Sequence, residues 1–311
     1  MIDTLSKSLF HVLAASDGLK RLASTYGMRK PTSFARRFIA GESVHEAIDA
    51  ARAIQTRGMA VTLDLLGESV TSPTEATNAT RAYRQAMEDI VDAGVERNLS
   101  IKLTQLGLDI DRATAVDNLR RILDFGGRHE FFVRIDMENS PYTEVTLDIF
   151  ETSLQLGYRN VGVVLQSALR RTDQDLARVN GLGGRVRLVK GAYKESRSIA
   201  YPSKSDVDAA YVRLTRVLLA DGVHPAFATH DPAMIDAAKA TARALHVAAD
   251  RFEFQMLYGI RRDLQQALVA EGYRVRVYIP FGREWFPYFM RRLGERPANV
   301  GFVVRSLLSE G

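Results

Sequence analysis

The feature that most constrains the fold is a change of period that repeats along the chain. From residue 59 to residue 279, short apolar runs alternate with amphipathic stretches at roughly even spacing. The apolar runs are Met59–Leu66, Leu99–Thr104, Phe131–Asp136, Val161–Gln166, Val186–Lys190, Pro225–Thr229, Phe252–Leu257 and Val275–Ile279. They are rich in Val, Ile, Leu and Phe, as strands buried on both faces are. Between them, Thr74–Asn98, Ala113–Phe125, Tyr142–Leu156, Leu169–Asn180, Asp206–Ala220, Pro232–Ala244 and Arg262–Ala270 read as helices. Eight strands alternating with helices predict an α/β fold, a (β/α)8 barrel. The rival is an open doubly wound sheet. It usually carries a Gly-rich fingerprint after its first strand, and Leu66-Gly-Glu-Ser-Val70 is not GxGxxG.

The barrel is expected over residues 56–311, with no linker inside it. Residues 1–55 read as an N-terminal helical segment. Leu5, Leu9, Val12 and Leu13 repeat at helical spacing, and Ser33–Ala40 and Ser43–Ile54 read as two further short helices. The absence of Cys excludes disulfides, thiolate metal sites and Cys nucleophiles. The six His show no ligand spacing, so no metal site is expected. Met1-Ile-Asp-Thr-Leu5 lacks the basic and apolar regions of a signal peptide, and no apolar run approaches the length of a membrane span. A cytoplasmic protein is expected. The net charge of +5 is concentrated early, in Lys20, Arg21, Arg29, Lys30, Arg36 and Arg37, which suits an anionic membrane surface or an acidic ligand. No recognition motif accompanies it, so nucleic acid is not expected.

Barrels of this kind carry their chemistry at the C-terminal ends of the strands. Those ends hold Asp64, Lys102, Asp136, Gln166, Arg187 with Lys190, Thr229 with His230, Gln255, and Tyr278. Each has a plain reading alone: Asp64 as a helix cap, His230 as a loop histidine, Lys190 as a snorkelling rim residue. Eight polar ends together are harder to explain in that way. No GxSxG elbow is present, and the Gly-rich stretch Gly181-Leu-Gly-Gly184 precedes its strand, on the wrong side of a barrel. After Gly282 a last helix places Tyr288, Arg291, Arg292 and Glu295 on one face. Two adjacent guanidiniums beside a phenol and a carboxylate suit a small carboxylate ligand. The alternative is a solvated face with local Arg–Glu pairs, but Trp285, Phe286, Phe289 and Met290 crowd the same helix.

The segments Arg134-Ile-Asp-Met-Glu138, Val164-Leu-Gln-Ser167, Arg187-Leu-Val-Lys-Gly-Ala-Tyr193, Ala228-Thr-His-Asp231, Phe252-Glu-Phe-Gln-Met-Leu257 and Tyr288-Phe-Met-Arg-Arg-Leu-Gly-Glu295 occur in this order. Together they resemble the proline dehydrogenase family, in its monofunctional bacterial form, from about Arg37 to Val300. The resemblance implies a distorted barrel holding FAD, with the last helix over the barrel mouth. It implies oxidation of L-proline to Δ1-pyrroline-5-carboxylate, the first step of proline catabolism to glutamate, with electrons passed to a membrane quinone. Pyrroline-5-carboxylate dehydrogenase would act next. Peripheral contact with the inner face of the cell membrane is then expected. By resemblance, Arg291 and Arg292 would clamp the proline carboxylate, and Lys102, Tyr193, Leu257, Tyr278, Tyr288 and Glu295 would build the rest of the substrate pocket with Asp136. Asp136 and Arg187 would be the catalytic pair, with Arg187 beside the flavin. Met137, Gln166, Lys190, Gly191, Ala192, Thr229, His230 and Gln255 would contact FAD.

Two other functions fit the residues. One is a Schiff-base aldolase or lyase with Lys102 or Lys190 as nucleophile. The other is a non-enzymatic anion-binding or membrane-surface protein using the basic N-terminal region.

Overall fold

The computed structural model describes Met28 and residues 33–295, apart from the side chains of Phe34 and of residues 293–295. The expected apolar face at Leu5, Leu9, Val12 and Leu13, and the basic residues Lys20, Arg21, Arg29 and Lys30, lie outside the described residues. In chain order the elements are α1 (Val44–Gln55), β1 (Ala60–Leu65), α2 (Pro73–Ala93), β2 (Asn98–Ile101), α3 (Arg112–Arg128), β3 (Phe132–Ile135), α4 (Thr143–Gln155), β4 (Val161–Gln166), α5 (Thr172–Gly181), β5 (Arg185–Val189), α6 (Lys204–Asp221), β6 (Ala226–Ala228), α7 (Pro232–Ala244), β7 (Glu253–Leu257), α8 (Arg262–Ala270), β8 (Val275–Phe281) and α9 (Trp285–Glu295). The strands pair in sequence order, all parallel, and β1 closes onto β8, giving a (β/α)8 barrel.

Local chemistry sets the boundaries. Ser43 with Glu46, and Ser72 with Glu75, form capping boxes that start α1 and α2, and Pro73 occupies the first turn of α2, where its missing N–H costs nothing. The second long helix is shorter than the Thr74–Asn98 span expected: it stops at Ala93, because Gly94 adopts φ 66°. Only a residue without a Cβ takes that left-handed turn cheaply. The first short helix is likewise reduced, to a single 3-10 turn at Phe34–Arg37.

Strand residues alternate between two very different environments. Val61, Leu63, Leu99, Ile101, Val133, Ile135, Val163, Leu165, Leu188, Phe254 and Val277 join one apolar core with the helices. The other set faces the barrel axis and is strongly polar: Asp64, Ser100, Arg134, Arg187, Glu253, Gln255 and Arg276 are all buried. Barrel interiors are commonly filled by branched aliphatic residues; this one is held by charge pairs such as Glu253–Arg276 and Asp136–Arg187 and by hydrogen bonds, Arg134 donating to the Val163 and Arg185 carbonyls.

A second apolar cluster fixes α9. Trp285, Phe286, Tyr288, Phe289 and Met290 pack with Met28, Ala35, Phe38, Ile39 and Leu66. Fully burying one such aromatic contributes about 1.5–3 kcal/mol, so the cluster outweighs the cost of seating charged side chains on the same helix. The chain before α1 lies flush on the loop after β7: a Cβ at Gly259, whose φ is 75°, would stand 1.7 Å from the Arg37 carbonyl oxygen.

Candidate active site

The C-terminal ends of the strands and the inner face of α9 enclose a cavity of about 440 Å³. It brings together Lys102, Asp136, Met137, Gln166, Arg187, Lys190, Gly191, Ala192, Tyr193, Thr229, His230, Gln255, Leu257, Tyr278, Tyr288, Arg291 and Arg292. The site residues expected from the sequence are in that set except Asp64, which is fully buried beside Lys102 and does not line the cavity, and Glu295, which ends α9 and whose side chain lies outside the described residues.

The floor is a hydrogen-bonded cluster around Arg187, which is 4 % exposed. Its Nη1 donates to Asp136 Oδ1 at 2.6 Å, Nη2 to Ser100 Oγ at 3.1 Å, and Nε to Gln255 Oε1 at 2.5 Å. The Tyr278 hydroxyl donates to the other Asp136 oxygen at 2.8 Å. Asp136 is thus held between a guanidinium and a phenol, and Arg187 is fixed along three directions.

Beside this floor, Lys102 Nζ stands 3.6 Å from Asp64 Oδ1. Burial works against the Lys102 charge, but Asp64, Asp136 and Glu68 outweigh it and raise its pKa, so Lys102 is a cation at neutral pH. Burial raises the pKa of Asp64 against the pull of Lys102. Burial also pushes the Tyr193 hydroxyl up to about 12, so it stays protonated.

Over the mouth, Arg291 Nη1 donates to Glu68 Oε1 at 2.8 Å. Burial raises the Glu68 carboxyl, but Arg291 outweighs it and holds the group below the usual carboxylate range. The Arg292 guanidinium carbon lies 5.1 Å from the Tyr288 ring centroid, within cation–π range.

The opposite wall is made of backbone and small groups. Gly191 has φ 114°, and a Cβ there would meet Ala168 Cβ at 3.2 Å and Gln166 Oε1 at 3.3 Å. Gln166 Nε2 donates to the Glu138 carbonyl at 2.9 Å. Lys190 Nζ is held by Asp208 and Asp231 at 2.5 and 2.7 Å. His230 Nε2 accepts the Leu257 N–H at 2.8 Å. A ring nitrogen that accepts carries no proton, so the imidazole is neutral with its proton on Nδ1.

Sequence reasoning missed Ser100, Glu68 and Glu253. Glu68 follows the first strand within two residues of Leu66, a position that could have singled it out. Ser100 and Glu253 carry no signal beyond their inward place on a strand. Among the described residues, no group of three His, Cys, Asp or Glu is arranged to hold a metal ion, and no helix is long and apolar enough to cross a membrane.

A parallel barrel with paired cations and carboxylates at its C-terminal mouth carries its polar groups where barrel enzymes place their chemistry. Residues 47–305 match the family model described as Proline dehydrogenase. The chain is 42% identical over 312 residues to "Proline dehydrogenase" of Deinococcus radiodurans, covering 99% of both chains. It is 41% identical over 303 residues to "Proline dehydrogenase 2" of Bacillus subtilis strain 168, covering 97% of this chain and 99% of that one. Among solved structures it resembles proline utilization A from Bdellovibrio bacteriovorus inactivated by N-propargylglycine, with TM-score 0.79 and 28% identity, over 84% of this chain and 32% of that longer one. The chain belongs to the proline dehydrogenase family.

Proposed function

We propose that this protein oxidises L-proline to Δ1-pyrroline-5-carboxylate, with FAD as its resident cofactor and a membrane quinone as the next electron acceptor. The observation that carries the reading is the placement of Arg291 and Arg292, with Lys102, above the Arg187–Asp136 floor in one cavity. A carboxylate bound at the guanidiniums leaves the rest of a small ring over that floor.

The cavity suits a flavin. Its wall at Gly191, Ala192 and Ala228 is a slot of backbone and small groups that larger side chains would fill, matching a flat ring system. Cationic donors also line the cavity: Arg187, and Lys190, whose ammonium has three N–H groups and two carboxylate partners. Lys190, Gly191, Ala192, Thr229, His230, Gln166, Gln255 and Met137 would hold FAD. When bound, FAD supplies the acceptor for the hydrogen and electron pair removed from the ring carbon beside nitrogen.

The chain's own residues bind and orient. Arg291 and Arg292 grip the carboxylate, and Lys102 adds a third positive charge. Of the α9 aromatics, Tyr288 lines the cavity and sets its ring against the Arg292 guanidinium. Arg187 provides fixed positive charge where negative charge develops, with no reorganisation during the reaction.

The product would pass to pyrroline-5-carboxylate dehydrogenase. Reaching a lipid-dissolved quinone requires peripheral membrane contact, which we assign to the basic N-terminal part of the sequence, where Lys20, Arg21, Arg29 and Lys30 lie. The test is optical. The purified protein should show a flavin spectrum that bleaches on anaerobic addition of L-proline. A colourless protein, or a covalent adduct trapped by borohydride with a carbonyl substrate, would instead favour the Schiff-base lyase.

A further inference from the structure

Beneath the cavity floor, β7 turns Glu253 and Gln255 toward the barrel axis, two residues apart on one face. Glu253 is 4 % exposed. Its Oε1 accepts from Gln255 Nε2 at 2.5 Å and from Arg276 Nε at 2.8 Å. Its Oε2 accepts from Arg276 Nη2 and from Arg274 Nε, both at 3.1 Å. A carboxylate can only accept, so the NH2 of Gln255 must face Glu253 and its oxygen must face away. That oxygen meets Arg187 Nε. Turning the Gln255 amide over would set oxygen against oxygen at Glu253 and donor against donor at Arg187, and both faults would be buried.

We infer that Glu253 is a positioning residue for Arg187. By fixing the Gln255 amide, it sets the plane in which the Arg187 guanidinium lies, and so directs Nη1 to Asp136 and Nη2 to Ser100. The inference rests on the reading of Arg187 as an active-site residue. The ordinary alternative is that Glu253 only neutralises Arg276 in the barrel interior, where the pair is buried on both sides.

Two double variants separate these roles. Glu253→Gln with Arg276→Met removes both charges but leaves a side-chain oxygen able to accept from Gln255. Glu253→Leu with Arg276→Met removes the same charges and the acceptor as well. If Glu253 positions Arg187, the Gln variant keeps near wild-type turnover. The Leu variant then loses about tenfold or more in kcat, with KM for L-proline within about twofold, because the Arg291–Arg292 fork is untouched. Its bound flavin should also become harder to reduce by about tenfold in the equilibrium, about 30 mV for a two-electron couple. A third readout needs no cofactor: the Arg187 Nε–H, followed by nitrogen-15 NMR, should exchange with solvent about tenfold faster in the Leu variant than in the Gln variant. If the protein binds no flavin, the proposed function fails while this exchange measurement still decides the positioning. Equal behaviour of the two variants, or failure of the Leu variant alone to fold, makes Glu253 a structural strut and overturns the inference.

Discussion

Arg291 on α9 donates through Nη1 to Glu68 on the loop after β1, at 2.8 Å, across 223 residues of sequence. The bond uses one of five guanidinium N–H groups. It therefore orients the fork without consuming it, and places a carboxylate beside the position proposed for the substrate's own.

In the proposed function Glu68 would act on substrate in two opposed ways, orienting Arg291 and repelling a second carboxylate, and two variants separate them. Glu68→Gln removes the charge and keeps an acceptor for Arg291. Glu68→Ala removes both. The expected order is a KM for L-proline severalfold higher in Glu68→Ala than in Glu68→Gln, with similar kcat values. Steady-state kinetics at fixed salt checks this, and the reverse order would show that the pair does not pre-orient the fork. Both partners are partly exposed, so the pair should contribute only about 1 kcal/mol or less to stability.

Arg291→Met and Arg292→Met should each raise KM on the order of a hundredfold, with a smaller change in kcat. Losing one partner of a buried hydrogen-bonded charge pair costs roughly 2–5 kcal/mol. A KM that stays within about twofold in both variants would place the carboxylate elsewhere.

Arg187→Ala should lower the reduction potential of the bound flavin, because it removes fixed positive charge from the cavity floor. Spectroelectrochemical titration measures it. FAD bound at an unchanged potential would separate Arg187 from the cofactor.

Acid should weaken the barrel from inside. Burial raises the Glu253 carboxyl, but Arg276 outweighs it, and the group is held at about 2 against an ordinary 4.5. A carboxylate whose folded pKa lies below its unfolded value stabilises the fold above the unfolded value, and that contribution is lost as pH falls through the folded one. At about 1.4 kcal/mol per pH unit, the interval from about 4.5 down to about 2 corresponds to about 3 kcal/mol. The thermal midpoint of the wild type should therefore fall more steeply over that interval than that of Glu253→Gln/Arg276→Met. Parallel curves would contradict the assignment.

The membrane reading has its own test. Deleting residues 1–24 should impair activity with a membrane quinone and spare activity with a soluble dye. It should also weaken binding to anionic vesicles, which salt should weaken too. Loss of both activities together would make the segment part of the fold.

The barrel was legible because its period is local: a run such as Val161–Gln166 shows its buried faces in its own residues. The polar strand ends could be read for the same reason, since a barrel's topology sends all C-terminal ends to one mouth. Partnership was not legible. Nothing near Arg187 in the chain points to Ser100, 87 residues earlier, and nothing near Gln255 says that its amide is locked. Boundaries failed where one backbone angle decides them, as at Gly94, where an apolar pattern runs on past the end of the helix.

The charged barrel interior limits how this enzyme can change. In a barrel filled with aliphatic residues, the centre can drift by compensating swaps of volume while the chemistry at the rim is left alone. Here Glu253, Gln255, Arg187 and Asp136 join floor to centre through shared hydrogen bonds, so a mid-barrel substitution that breaks this chain of bonds would be felt at the cavity floor, whereas one that keeps each acceptor would not. Variation compatible with activity must then concentrate in the layer between strands and helices, where Val61, Leu63 and their neighbours meet α1. A library aimed at heat resistance would do best to diversify that outer layer and leave the axis alone.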